Sequence, residues 1–207
     1  MLVLHGGASR RGSPMVSPTQ LSVLRMIPIA RRIASLGADR LAVFRLLNSS
    51  RGWDAHHTPA DDARWGLDRA ADEMGERLPV CLVGHSLGGR AALLCAGEPD
   101  VRSVAALAPW VYADDVADRS PAGRRIMIVH GSRDRIASPE RSEVLARRLS
   151  READVSYVSV LGGRHAMLGR HGVFDRLAAQ FAVSTLISEP STGAVGRVLA
   201  GESWIEV

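Results

Sequence analysis

Ser86 lies in the pattern Gly-x-Ser-x-Gly at residues 84–88. An apolar run, 79–83, precedes this pattern, and a run of small, helix-forming residues, 90–96, follows it. Strand, tight turn and helix in this order lift a serine hydroxyl clear of a sheet, where it can act as a nucleophile. Glycine is needed at both ends of the pattern because side chains there would collide where strand and helix nearly touch. The pattern predicts attack by Ser86 on a carbonyl carbon, and the alternative is a glycine-rich turn with an idle serine.

A serine hydroxyl needs a general base, and the base needs an acid that fixes its tautomer. Asp134 and His165 each follow an apolar, strand-like run, and the order serine, aspartate, histidine is typical of a nucleophile on such a turn. Because parallel strands end at the same edge of a sheet, we expect the three side chains to meet there. Asp114 and Asp115 are alternative acids, and His171 is an alternative base.

The elements that position these residues are strand-like runs alternating with helix-like segments. Strands are predicted at 2–4, 41–44, 79–83, 101–107, 125–129 and 155–160. Helices are predicted at 19–36, with a kink at Pro28, and at 59–77, 90–96, 139–149 and 173–187. Continuous apolar strands alternating with helices indicate an α/β fold, a mostly parallel sheet of about six strands with helices on both faces. One domain is predicted over 1–187, followed by a C-terminal tail over 188–207.

Composition excludes several classes of function. The chain has 207 residues, 46% hydrophobic and 23% charged, which is enough to bury one core. The net charge of +4 is spread out, with no basic run interleaved with aromatics, so we expect no nucleic-acid partner. No Cys/His cluster has metal-ligand spacing, so neither a metal nor another cofactor is predicted. Cys81 and Cys95 are expected to be buried thiols rather than a disulfide.

No membrane-spanning or secretion signal is visible in the sequence. No apolar run approaches the ~18 residues of a membrane span, and the first residues have neither a charged segment nor a long apolar one. We therefore expect a cytoplasmic protein that does not bind membranes.

Four motifs in order resemble the α/β-hydrolase family, and the resemblance covers about residues 1–185. They are the oxyanion loop at 5–7 (HGG), the nucleophile elbow at 84–89 (GHSLGG), the acid loop at 130–136 (HGSRDRI) and the histidine loop at 163–165 (GRH). The resemblance implies a triad of Ser86, His165 and Asp134. It also implies that the N–H groups of Leu87 and of Gly7 or Ala8 stabilise an oxyanion.

The activity implied by the resemblance is cleavage of small-molecule carboxylic esters through a covalent acyl-enzyme. Thioesterase, lactone hydrolase or acyltransferase activity with the same triad is an alternative. A binding protein that keeps the fold without turnover is a further alternative. Trp110 lies where the wall of an acyl pocket belongs, and Met167, just past His165, is predicted to line the same pocket. Arg10 and Arg11, near the oxyanion loop, would favour an acidic substrate unless they are only surface residues.

The sequence departs from the family pattern in two places. The two strands that usually precede the oxyanion strand are missing, so 41–44 becomes an edge strand unless the natural chain starts earlier. The apolar pair Trp204-Ile205 is a candidate to cover this or another edge. In addition, the linker between Trp110 and Arg125 is too short for a helical cap, so the site is predicted to be open to water.

Three further histidines lie close to these motifs. His5 and His130 end predicted strands and are expected to orient loops through hydrogen bonds. His85 precedes the nucleophile and is expected to point away from the substrate and to pack in the structure.

Overall fold

The computed structural model describes residues 1–7, 15–53, 57–112 and 114–207. Within them, parallel strands form one seven-stranded sheet in the order β2-β1-β3-β4-β5-β6-β7. The strands are Leu2–Leu4 (β1), Phe44–Leu46 (β2), Val80–His85 (β3), Val101–Leu107 (β4), Arg125–Gly131 (β5), Asp154–Val160 (β6) and Trp204–Glu206 (β7). The helices are Leu21–Leu24 (α1), Met26–Gly37 (α2), Thr58–Met74 (α3), Leu87–Leu94 (α4), Pro139–Leu149 (α5), His171–Ile187 (α6) and Gly193–Leu199 (α7).

Helices cover both faces of the sheet. On one face α2, α6 and α7 pack on strand residues such as Cys81 and Val83. On the other face α3, α4 and α5 pack on the alternate residues, such as Val80 and Leu82. The α/β fold class is therefore confirmed, with seven strands rather than about six. No helix in the described ranges is long and apolar enough to cross a membrane.

The seventh strand comes from the segment expected to be a tail. β7 pairs with β6, with Trp204 opposite Tyr157, and Ile205 is buried in the core. The helix α7, which precedes β7, also buries apolar side chains in the core between the sheet and the helices α2 and α6. The edge that the C-terminal segment covers is thus the β6 edge. At the opposite edge lies β2, which is only three residues long and has the exposed Arg45 at its centre. Shortness and charge are both ways of blocking edge-to-edge association.

The first predicted helix and the second predicted strand differ from the elements observed. The predicted helix 19–36 is divided into α1 and α2, because Pro28 has no N–H for the carbonyl of Leu24, where α1 ends. In its new place Pro28 lies in the first turn of α2, where a missing N–H costs little. The second strand starts at Phe44 rather than residue 41, since it pairs with β1, whose first residue, Leu2, lies opposite Phe44.

Candidate active site

Ser86 lies in the tight turn between β3 and α4 with a backbone φ of 53°, a conformation that side-chain-bearing residues rarely adopt. The glycines around it have no room for a side chain. A Cβ on Gly84 would lie 2.1 Å from the carbonyl oxygen of Gly88, and a Cβ on Gly88 would lie 2.5 Å from that of Leu4. The Gly-x-Ser-x-Gly pattern therefore fixes the serine at the carboxyl end of the sheet for a steric reason.

The structure brings Ser86, His165 and Asp134 together in one hydrogen-bonded chain. His165 Nε2 lies 2.9 Å from Ser86 Oγ, and His165 Nδ1 lies 2.9 Å from Asp134 Oδ2. A carboxylate oxygen only accepts, so Nδ1 carries the proton and Nε2 can accept from the serine hydroxyl. The side chains come from the ends of β3, β5 and β6, as the alternation of strands and helices predicts.

The carboxylate of Asp134 is fully enclosed and held at both oxygens. Oδ1 accepts from the N–H groups of Ile136, at 2.8 Å, and Ala137, at 3.0 Å. Oδ2 accepts from His165 and from His130 Nε2, at 3.1 Å. Burial alone would raise the pKa of Asp134, but the hydrogen bonds from His130, His165 and Ile136 outweigh it and hold the pKa well below its ordinary value. The group is therefore a stable anion beside the imidazole.

Of the alternatives, Asp115 and His171 lie in other interactions, and Asp114 is exposed. Asp115 forms a bidentate salt bridge with Arg90, at 2.8 and 2.5 Å, and both side chains are more than nine-tenths buried. The guanidinium of Arg90 also lies 4.2 Å from the ring centroid of Trp53 and 4.7 Å from that of Tyr112. His171 begins α6 and bonds the carbonyl of Leu168 through Nδ1. Asp115 thus anchors the segment after β4 rather than the imidazole.

His85 holds the histidine loop in place through a hydrogen bond to its backbone. Its Nε2 lies 2.9 Å from the carbonyl oxygen of His165 and donates to it, and the two rings are 5.1 Å apart. Arg25, which is paired with Asp175 on α6 at 2.7 Å, also reaches the carbonyl of Ala166 at 3.4 Å. Burial, and then the neighbouring His165, lower the pKa of His85 to about 3. His85 is therefore a neutral positioning residue for His165.

The titration of His85 predicts how stability depends on pH. Because its pKa falls from 6.5 unfolded to about 3 folded, acid protonates the unfolded chain first. The stabilisation is complete above pH 6.5 and is lost as the pH falls toward 3, by up to about 1.4 kcal/mol per pH unit. A His85→Gln variant keeps an N–H donor for His165 but removes the titration. Urea unfolding between about pH 6.5 and 4.5 should show a shallower pH slope for this variant than for wild type.

His171→Gln is the matched control because it changes an exposed histidine, and it should keep the wild-type slope. Equal slopes for wild type and His85→Gln would contradict the assignment.

The predicted oxyanion donors flank the nucleophile. Leu87 is the first residue of α4, where N–H groups have no partner within the helix. A Cβ on Gly7 would lie 3.5 Å from Cδ1 of Leu87, and one on Gly6 would lie 3.3 Å from Cβ of Ser86. The end of β1 is therefore packed against the nucleophile turn. Ala8, the alternative donor, lies outside the described residues.

His5 fixes the start of that loop. It is buried, its Nδ1 donates to the carbonyl of Gly6 at 2.7 Å, and its Nε2 accepts from the N–H of Asn48 at 3.1 Å. The ring therefore ties the end of β1 to the segment that follows β2. Burial lowers the pKa of His5, which favours the neutral ring that this pair of bonds requires.

A cavity of about 380 Å³ opens beside the chain of hydrogen bonds, between Trp110 and residues 134–141, which end in the first turn of α5. Trp110 lines it, and the backbone N–H of Trp110 donates to the carbonyl of Ser86 at 3.1 Å. Met167 does not lie there: it is fully buried in the core, in a left-handed turn with φ of 59°. The prediction that Met167 contacts substrate is corrected, because local sequence does not reveal that this turn points the side chain inward. Arg10 and Arg11 lie outside the described residues.

The two cysteines are buried thiols. Cys81 and Cys95 are free and buried, and burial raises their pKa values to about 11 and about 12. Neither is activated as a thiolate. Among the described residues, no group of three or more His, Cys, Asp or Glu side chains could hold a metal ion.

Comparison with known proteins identifies the family. The sequence matches the model of the alpha/beta hydrolase family over residues 54–180, more than half of the 207-residue chain. The chain therefore belongs to the alpha/beta hydrolase family. A comparison with curated proteins gave no match.

Solved structures share the fold at low sequence identity. A serine hydrolase without a lid from Xanthomonas campestris is 20% identical with a TM-score of 0.66, over 93% of this chain and 83% of that one. An alpha-beta serine hydrolase homologue from Coxiella burnetii is 18% identical with a TM-score of 0.65, over 86% and 82%. A carboxylesterase from Bacillus cereus is 20% identical with a TM-score of 0.60, over 87% of each chain.

Proposed function

We propose that this protein is a serine hydrolase that cleaves small-molecule carboxylic esters through an acyl-enzyme. The observation that carries the proposal is the hydrogen-bonded path from Ser86 Oγ through His165 to Asp134, with both contacts at 2.9 Å. Each role in this path depends on the next one, because the anion fixes the tautomer that lets the imidazole accept the serine proton.

In the proposed mechanism Ser86 Oγ attacks the ester carbonyl while His165 Nε2 takes its proton. Asp134 stays ionised and stabilises the imidazolium that forms. The N–H groups of Leu87 and Gly7 donate to the oxyanion of the tetrahedral intermediate. His165 then protonates the leaving alcohol, which departs as the acyl-enzyme forms. Water attacks the acyl-enzyme with His165 again as the base, and this step releases the acid and restores the serine.

Access of water supports hydrolysis rather than chemistry that needs a dry pocket. β4 ends at Leu107 and β5 begins at Arg125, and no helix occurs in the described residues between them, 108–112 and 114–124. Nothing in those residues forms a helical cap over Ser86. The likeness to a serine hydrolase without a lid and to a carboxylesterase supports the same class of reaction.

Initial rates with a panel of substrates test the proposal. We expect turnover of p-nitrophenyl acetate and butyrate well above the rate in buffer. A short acyl-CoA thioester and a lactone are the comparison substrates, and both should be poorer by kcat/KM. If the protein turns over the thioester or the lactone but not the p-nitrophenyl esters, its activity is that of a thioesterase or a lactone hydrolase instead. No turnover of any of them would favour a binding protein.

A further inference from the structure

The cavity beside the proposed nucleophile is positioned to hold part of a substrate. One side is formed by Trp110 and Val111, which follow β4, and the other by residues 134–141. The backbone N–H of Trp110 donates to the carbonyl of Ser86, and Asp134 is hydrogen-bonded to His165. Ser86 and His165 do not line the cavity themselves, but Trp110 contacts the first and Asp134 the second, so a group attached to an ester carbonyl at Ser86 can enter it.

Two cations line this cavity without an opposing charge of their own. Arg135 and Arg141 are exposed, and neither forms a salt bridge within the ranges that the structure describes. Arg141 instead lies 5.9 Å from the ring centroid of Tyr112. A guanidinium without a salt bridge can bind a carboxylate through two parallel hydrogen bonds.

Two acidic groups also line the cavity, and neither forms a salt bridge with these arginines. Asp134 is buried, and its oxygens already accept four hydrogen bonds, from two histidines and two backbone N–H groups. Glu140 accepts from Ser138 Oγ at 2.7 Å, so one exposed acid faces two exposed cations. Two more exposed arginines, Arg133 and Arg164, lie on the loops after β5 and β6. Neither has a salt bridge to a described residue, so the rim of the site is positive overall.

Apolar surface lies beside these cations. Trp110 is 38% exposed and Ile136 is 60% exposed at the cavity, both large side chains with free apolar area. Such walls favour an apolar or aromatic body, and the arginines favour an anion on it.

We propose that the preferred substrates are esters whose apolar body carries a carboxylate or a similar anion, bound by Arg135 and Arg141 beside Trp110. This inference rests on the proposed esterase function and narrows it to a substrate class. The anion is held apart from the scissile carbonyl, so the arginines act in binding and raise kcat/KM mainly through KM.

Matched pairs of esters test the proposal. On the alcohol side, 4-(butyryloxy)benzoate is compared with its methyl ester, and on the acyl side, the p-nitrophenyl monoester of succinate is compared with p-nitrophenyl pentanoate. We expect the anionic ester to be preferred by about tenfold in at least one pair, and the preference to shrink as NaCl rises from about 0.05 to about 0.5 M. The double variant Arg135→Gln/Arg141→Gln should lose the preference, because its kcat/KM for each anionic ester falls to the value for the neutral partner.

The control is Arg102→Gln, which removes an exposed arginine at the amino end of β4, whereas the site lies at the carboxyl ends of the strands. It should keep the preference. Equal rates for anionic and neutral esters in wild type, or a preference that survives in the double variant, would overturn the inference and leave the esterase function standing. Failure to hydrolyse any of the four esters would overturn the esterase function and this inference with it.

Discussion

Replacing Ser86 with alanine is expected to lower kcat/KM for p-nitrophenyl acetate by about 10⁴-fold or more. The variant lacks the oxygen that attacks the carbonyl, and the neighbouring imidazole has no hydroxyl left to deprotonate. The fold should persist, because alanine has the same Cβ as serine and can occupy the same backbone position at φ of 53°. The free energy of unfolding should change by no more than about 1 kcal/mol.

Rates of p-nitrophenolate release and urea unfolding curves, measured on the same preparations, check both statements. Ser150→Ala is the matched control, because Ser150 is an exposed serine at the end of α5 and its change should leave the rate unaltered. A folded Ser86→Ala variant that hydrolyses the ester at the wild-type rate would remove Ser86 from the mechanism.

Replacing Asp134 with asparagine is expected to lower kcat/KM by about 10³- to 10⁴-fold, for a reason of hydrogen-bond direction. Oδ1 accepts from the N–H groups of Ile136 and Ala137, so the amide oxygen of asparagine belongs on that side. The amide NH₂ then faces Nδ1 of His165 and donates to it. The imidazole proton moves to Nε2, which can no longer accept the proton of Ser86.

The same exchange should also cost stability. His130 Nε2 donates to Oδ2 in the wild type. An NH₂ group in the place of Oδ2 would face this donor without an acceptor between them. A loss of about 1–3 kcal/mol in the free energy of unfolding is expected, so rates must be measured well below the melting temperature of the variant.

Asp115→Asn is the control that separates the two effects. It weakens the buried salt bridge to Arg90 and should lower stability. It does not touch the imidazole, so the folded variant should keep most of its kcat/KM. Equal losses of activity in the two variants, at equal fractions of folded protein, would show that Asp134 acts through stability alone.

The sequence predicts best where local chemistry decides the structure. β4 and α5 were predicted with their observed bounds, 101–107 and 139–149. Ser138 caps α5 and Pro139 opens it, so its start is marked by residues next to one another. The nucleophile turn is equally local, because contacts within the turn and with the adjacent strand β1 leave no room for side chains at its glycines. The order of strands then places Asp134 and His165 at the same edge.

Prediction fails where partners are distant along the chain. The bounds of β2 depend on which residues of β1 it pairs with, and β7 pairs with a strand more than 40 residues earlier. No local sequence pattern predicts the two buried ion pairs, Arg25 with Asp175 and Arg90 with Asp115. The same holds for the hydrogen bond from His85 to the carbonyl of His165. These contacts hold the loops around the site, and only the folded chain reveals them.

Covalent labelling tests the central claim most directly, because it reports the reactive atom itself. Folded wild-type protein treated with a fluorophosphonate should take up one phosphonyl group, and mass spectrometry should find it on the tryptic peptide 78–90, which contains Ser86 as its one serine. Labelling should disappear in Ser86→Ala and slow greatly in His165→Gln. Attachment to any other peptide, or no attachment to folded protein that still hydrolyses esters, would contradict the account.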